Sequence, residues 1–353
     1  MLAIEIGPDQ ARFALFLSGM VLATVGGYLL RRARLVRPEW ARAVMSAAII
    51  GCDAPIALLA IWHLEVDAGV WKVPVAGAVV AVAASLGGLV VARRLRMPPA
   101  DQAVFGLQSG MGNVGYTLGG SLCFVLWGMQ GLAREQMYCL MWPFYAFLFC
   151  FPIGRHYGDR ASAEIGGAQP GPSPTEATTG PRPPPATASP REALLRYAAR
   201  LMLRSLTDLR SLPLYTATLG LVLNLRGVAL PPEAGRWHVI DILMVLGIFL
   251  QFGGVGMTVE ARRLPRWWRP ALGTALLKMG AGPLLMLAVV RAIGLEGVPL
   301  GVCLLLSAMP TALYSVLMAN LFGLNRDLAN AAFILTHGLC FAVLVPVVLL
   351  LAA

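Results

Sequence analysis

Charge is what this chain has least of. Of its 353 residues 13% are charged and only 18 are acidic, while 58% are hydrophobic. A water-soluble domain of that balance would precipitate, so a soluble fold is excluded and an integral membrane protein is indicated. Catalytic signatures are missing too. The chain has no H-E-x-x-H, no G-x-S-x-G and no carboxylate cluster, so hydrolytic and metal-dependent catalysis have no visible machinery. Cys52, Cys123, Cys139, Cys150, Cys303 and Cys340 all lie in apolar runs and form no C-x-x-C pair. They read as small buried hydrophobes, not as a zinc site or a disulfide framework. An enzyme, a bound metal and a cofactor are therefore not expected.

What the chain does have is ten apolar runs, at 12–30, 41–62, 71–92, 102–127, 134–153, 213–230, 237–257, 269–291, 298–322 and 328–352. Each is long enough to cross the roughly 30 Å hydrocarbon layer. Glu5 and Asp9 precede the first run in place of a basic stretch, so that run is expected to be a retained span and not a signal peptide. The division expected is a first five-helix repeat over 1–153, a linker over 154–211 and a second repeat over 212–353. The linker's centre, Gly166 to Pro190, is rich in Pro, Gly, Ser, Thr and Ala and cannot bury a core, so it is expected to be flexible. After it, Ser189-Pro190-Arg191-Glu192 has the form of a capping box. Leu194, Leu195, Ala198, Leu201 and Met202 then mark one helical face, with Arg196, Arg200 and Arg204 elsewhere. That pattern predicts a basic amphipathic helix on the membrane surface.

The basic residues set the orientation. Of the 28, 21 fall in the linker and in the loops after spans 1, 3, 7 and 9, while 6 fall on the opposite side and Lys278 lies within span 8. Positive residues stay cytoplasmic, so both termini are expected outside and the linker inside, in a plasma membrane. The basic excess thus serves topology and not nucleic-acid binding. Five spans before the linker and five after it force the halves into opposite topology. The fold class expected is an all-α membrane protein of ten transmembrane helices in two inverted five-helix repeats.

Both repeats are broken in their fourth span. Span 4 contains Gly110-Met111-Gly112-Asn113-Val114-Gly115, followed by Tyr116, and span 9 contains Met309-Pro310-Thr311, followed by Tyr314. Glycines in a membrane helix often serve close packing, and a proline often only kinks. Packing alone, however, does not ask for Asn113 between glycines at mid-depth, whereas an unwound segment does. Two interrupted helices at matching positions mark a carrier with its substrate site at mid-membrane. If the breaks cross, two half-helix N-termini present partial positive charge to one place, which favours an anion. Substrate contacts are therefore expected from Gly112, Asn113, Gly115, Tyr116, Met309, Pro310, Thr311 and Tyr314.

Ionisable groups within spans are few and costly. Asp53, two residues before Pro55 in span 2, and Lys278 in span 8 are expected to carry proton or charge coupling. His337 in span 10 and Gln251 in span 7 are further candidates; the alternative for each is a satisfied buried partner. Asp241 lies close enough to the outer interface to be merely solvated.

At these residues the chain resembles the auxin efflux carrier family, related in fold to the plant PIN exporters. Asn113-Val114-Gly115-Tyr116 is similar to the family's N-x-G-aromatic motif and Ala308-Met309-Pro310-Thr311 to its span 9 proline motif. Asp53-Ala54-Pro55 and Lys278 to Pro283 resemble its span 2 and span 8 patterns. Leu118 and Gly120 stand where the family commonly has Gly and then Pro. The resemblance implies a scaffold of spans 1, 2, 6 and 7, a transport unit of spans 3–5 and 8–10, crossing helices 4 and 9, elevator-like movement and a homodimer in the bilayer. The function expected is secondary transport of a small organic anion, auxin-like or a mono- or dicarboxylate. A sodium-coupled bile-acid-type symporter would need clustered oxygen ligands, which only Gln108, Asn113 and Gln251 could supply here. A non-transporting membrane sensor is the alternative from another class.

Overall fold

Proline and glycine positions dictate where this chain's helices bend and stop. The computed structural model describes residues 8–37, 39–67, 69–115, 118–164, 200, 203, 207–233, 238–258 and 264–347. The linker's centre, most of the expected amphipathic helix and Tyr116 lie outside those residues. The described chain is helical: α1 (Pro8–Arg32), α2 (Trp40–Trp62), α3 (Lys72–Arg94), α4 (Pro99–Gly110), α5 (Gly119–Cys139), α6 (142–164), α7 (Leu212–Leu225), α8 (Val239–Thr258), α9 (Pro265–Ala292), α10 (Gly297–Ser307), α11 (Leu313–Leu321) and α12 (Arg326–Val347). Among the described residues there is no β-strand, only one isolated bridge. Six described stretches are long and apolar enough to cross a membrane, and α7 and α10 are shorter apolar helices.

The outside of the molecule is greasy and much of its polar chemistry is inside. On α3, Val75, Val79, Leu86 and Val90 form one exposed apolar stripe, and on α8 Ile242, Leu246 and Phe249 form another. Asp53, Gln108, Arg134, Glu135, Gln251, Lys278 and His337 are buried. Apolar stripes of that extent are stable facing lipid and not water. The chain is thus a multi-pass membrane protein.

Four helices contain one widened, π-type turn: Ile49–Asp53 in α2, Tyr145–Cys150 in α6, Leu276–Ala281 in α9 and Cys340–Leu344 in α12. Each ends two residues before a proline, namely Pro55, Pro152, Pro283 and Pro346. A proline has no N–H to donate, and its ring pushes on the carbonyl four residues back, which in all four cases lies within the widened turn. The turn opens to relieve that clash. Such turns are frequent at functional sites, and here they carry Asp53 and Lys278.

The helices pack in two groups. In the first, α1 lies along α8, and α2 packs on both α7 and α8. Small residues let the α1 and α8 backbones meet: a Cβ on Gly27 would stand 2.1 Å from the Gly253 carbonyl oxygen, and one on Gly256 would stand 2.1 Å from that of Thr24. In the second group α3 packs on α4, α4 on α6, α5 on α10, and α9 and α11 on α12. The Asn325 side chain stitches this group at one end, accepting from Leu328 N at 3.0 Å and donating to Asp101 Oδ1 at 2.7 Å.

Two spans differ from expectation. The turn after the first broken span is not 128–133, because α5 kinks at Trp127 and Gly128, where Gly128 takes φ +57°. A side chain rarely adopts that angle, so the glycine sets the place where the chain reverses. The returning helix therefore holds Arg134 and Glu135 inside it and not at its mouth. The sixth span stops at Leu225, before a turn at Arg226 and Gly227, and not at 230.

Candidate functional site

Span 4 unwinds after Gly110 and resumes at Gly119; span 9 unwinds after Ser307 and resumes at Leu313. The two unwound pieces pair with each other as a short antiparallel bridge between Gly112 and Thr311. Asn113 N donates to Pro310 O at 2.7 Å, and Ala312 N donates to Met111 O at 3.0 Å. Backbone groups that lost their helical partners thereby satisfy each other, which makes unwinding tolerable inside a membrane. Pro310 fits this pairing because its carbonyl, not its missing N–H, is what the bridge uses. Within the first break, Asn113 O accepts from Gly119 N at 3.3 Å and Gly115 O from Gly120 N at 2.9 Å.

Side chains lock the crossing from behind. Thr336 on α12 presents Oγ1 to Thr311 N at 3.2 Å and to Thr311 Oγ1 at 3.1 Å. Gln108, in the last turn of α4, donates to Ser315 Oγ on α11 at 2.9 Å and to Ala329 O at 3.0 Å. One turn along α12 from Phe333, the His337 ring nitrogen Nδ1 lies 2.8 Å from Phe333 O. Its Nε2 lies 3.2 Å from Asn113 Nδ2. A carbonyl can only accept and an amide nitrogen can only donate, so both contacts are satisfied by a neutral ring with its proton on Nδ1.

Lys278 reaches the same place from the widened turn of α9. Its Nζ donates to Ser307 O, at the end of α10, at 2.9 Å, and lies 3.0 Å from where a Cβ on Gly112 would stand. Among the described residues no carboxylate lies within ion-pair distance of it. The ammonium thus offsets the negative end of half-helix α10, and its position calls for glycine at 112. Beside it is a cavity of about 30 Å³, lined by Gly112, Val114, Lys278, Cys139 and the rings of Tyr138, Trp142 and Tyr145. That is room for one or two water-sized groups. The arrangement offers a buried cation, an unwound backbone and aromatic walls.

Of the residues singled out in the sequence, Gly112, Asn113, Gly115, Met309, Pro310 and Thr311 come together at the crossing, with Lys278 and His337 against them. Tyr314 does not itself line that cavity but backs one of its walls. Its ring packs edge-on to Trp142 with centroids 4.8 Å apart and stacks near Phe151 at 6.3 Å. Asp53 pairs elsewhere, accepting from Gln251 Nε2 at 2.8 Å across the α2–α8 contact. Asp241 is met by His238 Nδ1 at 3.3 Å near the start of α8.

Sequence reasoning missed Glu135, Tyr138, Trp142 and Tyr145. The expected span 134–153 begins with Arg134 and Glu135 at its mouth, whereas the helix resumes directly after the kink at Trp127 and Gly128 and holds both inside it. Arg134 is buried and pairs with Asp67 Oδ2 at 3.0 Å in the loop between α2 and α3.

No curated protein matches the chain. Residues 239–349, which span α8 to α12 and include Gln251, Lys278, Pro310 and His337, match a family described as membrane transport protein. That match covers the Pro310 motif, Lys278 and His337, and it supports the resemblance to the auxin efflux carrier family: over its last third the chain is similar to a membrane transport protein.

Proposed function

We propose that the protein is a secondary transporter of a small organic anion, with the carboxylate held at the crossing of the two broken helices. The observation that carries this reading is the buried Lys278 ammonium, without a carboxylate partner among the described residues, against Gly112 at an aromatic-lined cavity beside the crossing. A buried cation without a counter-charge is costly, and an anionic ligand supplies one. The N-terminal ends of α5 and α11 add partial positive charge at the neighbouring crossing, and Lys278 offsets the negative end of α10. Asn113 positions the loop and, through His337, links it to α12. A proton on His337 Nε2 would face the Asn113 amide N–H, so protonation there would require Asn113 to turn its oxygen instead.

The movement follows from the packing. Helices α1, α2, α7 and α8 form one group and α3–α6 with α9–α12 the other, which supports a scaffold and a mobile unit carrying the site in an elevator-type cycle. Five-plus-five inverted repeats, a plasma-membrane location with both termini outside, and a homodimer complete the reading. Coupling is assigned to Lys278, His337 and the Asp53–Gln251 pair. Labelled carboxylates in proteoliposomes test it: counterflow of one class, abolished in Asn113→Ala protein that remains folded, is the expected result. Undiminished counterflow by Asn113→Ala, or flux only when sodium is present, would overturn the site or the class respectively.

A further inference from the structure

Glu135 is fully buried on α5, and the proposed cycle leaves it unused. Its Oε1 accepts from Cys139 Sγ at 3.1 Å and its Oε2 from Gln136 Nε2. Among the described residues no Lys, Arg or His lies within ion-pair distance of it. The ionisable groups on the elements around it are Asp53 on α2, Cys123 on the first half of α5, Arg134, Tyr138 and Cys139 on its own helix and, beyond Cys123, Cys303 on α10. Arg134, the one cation among these, is engaged by Asp67 Oδ2 at 3.0 Å and not by Glu135. An isolated carboxylate in such a place is expensive, and a bound proton removes that expense.

The position is as informative as the burial. Cys139, which hydrogen-bonds Oε1, also lines the cavity beside Lys278 and Gly112. On the other side, Oε2 lies 3.0 Å from where a Cβ on Gly120 would stand. Gly120 N holds Gly115 O, and neighbouring Gly119 N holds Asn113 O. Glycine at 120 therefore leaves room for the carboxyl to press on the first turn of the half-helix that anchors the crossing loop. One oxygen looks towards the substrate cavity and the other towards the turn that shapes it.

We propose that Glu135 binds the proton that moves with the substrate, taking it up on one side of the membrane and releasing it on the other. This rests on the transporter reading above. With the proton bound, the carboxyl is neutral and its neighbourhood apolar. With the proton gone, the negative charge faces the amides of Gly119 and Gly120 and competes with Gly115 O and Asn113 O for them. Proton binding and the shape of the anion site are thereby linked, and the linkage is reciprocal.

Two measurements on the full-length protein test this. Infrared difference spectra between acid and alkaline pH should contain a protonated-carboxyl band that is lost in Glu135→Gln. In proteoliposomes, Glu135→Gln should still exchange substrate in counterflow, while accumulation driven by a pH gradient falls to equal concentrations inside and out. A pH-dependent carboxyl band that survives in the variant, or gradient-driven accumulation equal to wild type, would overturn the proposal. Gly120→Ala keeps the acid and adds a methyl group against it, so the band should titrate at higher pH than in wild type; an unmoved midpoint counts against Glu135 even if Glu135→Gln does not fold. If neither protein moves any anion, the transporter reading fails, and the infrared result still decides whether Glu135 takes up a proton.

Discussion

Replacing Lys278 by Met separates the two things a buried lysine could be doing. Methionine keeps most of the length and apolar volume of the stem and removes only the ammonium. In the folded protein that ammonium has one hydrogen bond, to Ser307 O at 2.9 Å, and no carboxylate partner among the described residues. The stability it supplies is therefore small: one charged hydrogen bond contributes about 1.5–3 kcal/mol, and relief of the buried charge offsets much or all of it. Lys278→Met is expected to unfold within a few degrees of wild type in detergent. A carboxylate ligand at the crossing, by contrast, would lose the buried counter-charge beside it. A loss of about 1.5–3 kcal/mol in binding corresponds to roughly 10- to 150-fold weaker affinity. The assay is the concentration dependence of counterflow in proteoliposomes, beside thermal unfolding of the same preparation with and without substrate. Unchanged affinity in a stable Lys278→Met protein would refute the reasoning, because the ammonium would then only cap α10.

Three other perturbations follow from the packing and the topology. Gly256→Ala places a methyl group 2.1 Å from Thr24 O, so α1 and α8 must separate; a loss of about 1–3 kcal/mol is expected in thermal or denaturant unfolding. Pro55→Ala restores the missing N–H, and the widened turn Ile49–Asp53 should tighten to an α-helix, turning Asp53 away from Gln251. Loss of gradient-driven transport with counterflow retained is expected, and unaltered coupling would show that the pair is only structural. Protease added to inside-out vesicles should cut between Gly166 and Pro190, and protease added to right-side-out cells should not; the reverse pattern would invert the assigned orientation.

Much of this architecture is legible in the chain because its causes are local. Lipid demands continuous apolar runs, so hydropathy locates spans without knowledge of their neighbours. Glycines at 110, 112 and 115 and the proline at 310 act on their own backbone, so both breaks can be read directly. The prolines at 55, 152, 283 and 346 likewise act within one turn, which each of them widens. Other features depend on residues hundreds apart. That Asn113 N meets Pro310 O, that Lys278 reaches Ser307 O beside Gly112, and that His337 orders Asn113 follow from how the helices pack, and no periodicity encodes it. Tyr314 had the right spacing and turned to an aromatic cluster instead. Glu135 stood at the mouth of an expected span and is fully buried, because the turn is confined to Trp127 and Gly128 and the helix resumes before it. The sequence by itself determined a membrane-spanning helical chain with two weak points; only tertiary packing decided that those points meet, and which charges are buried beside them.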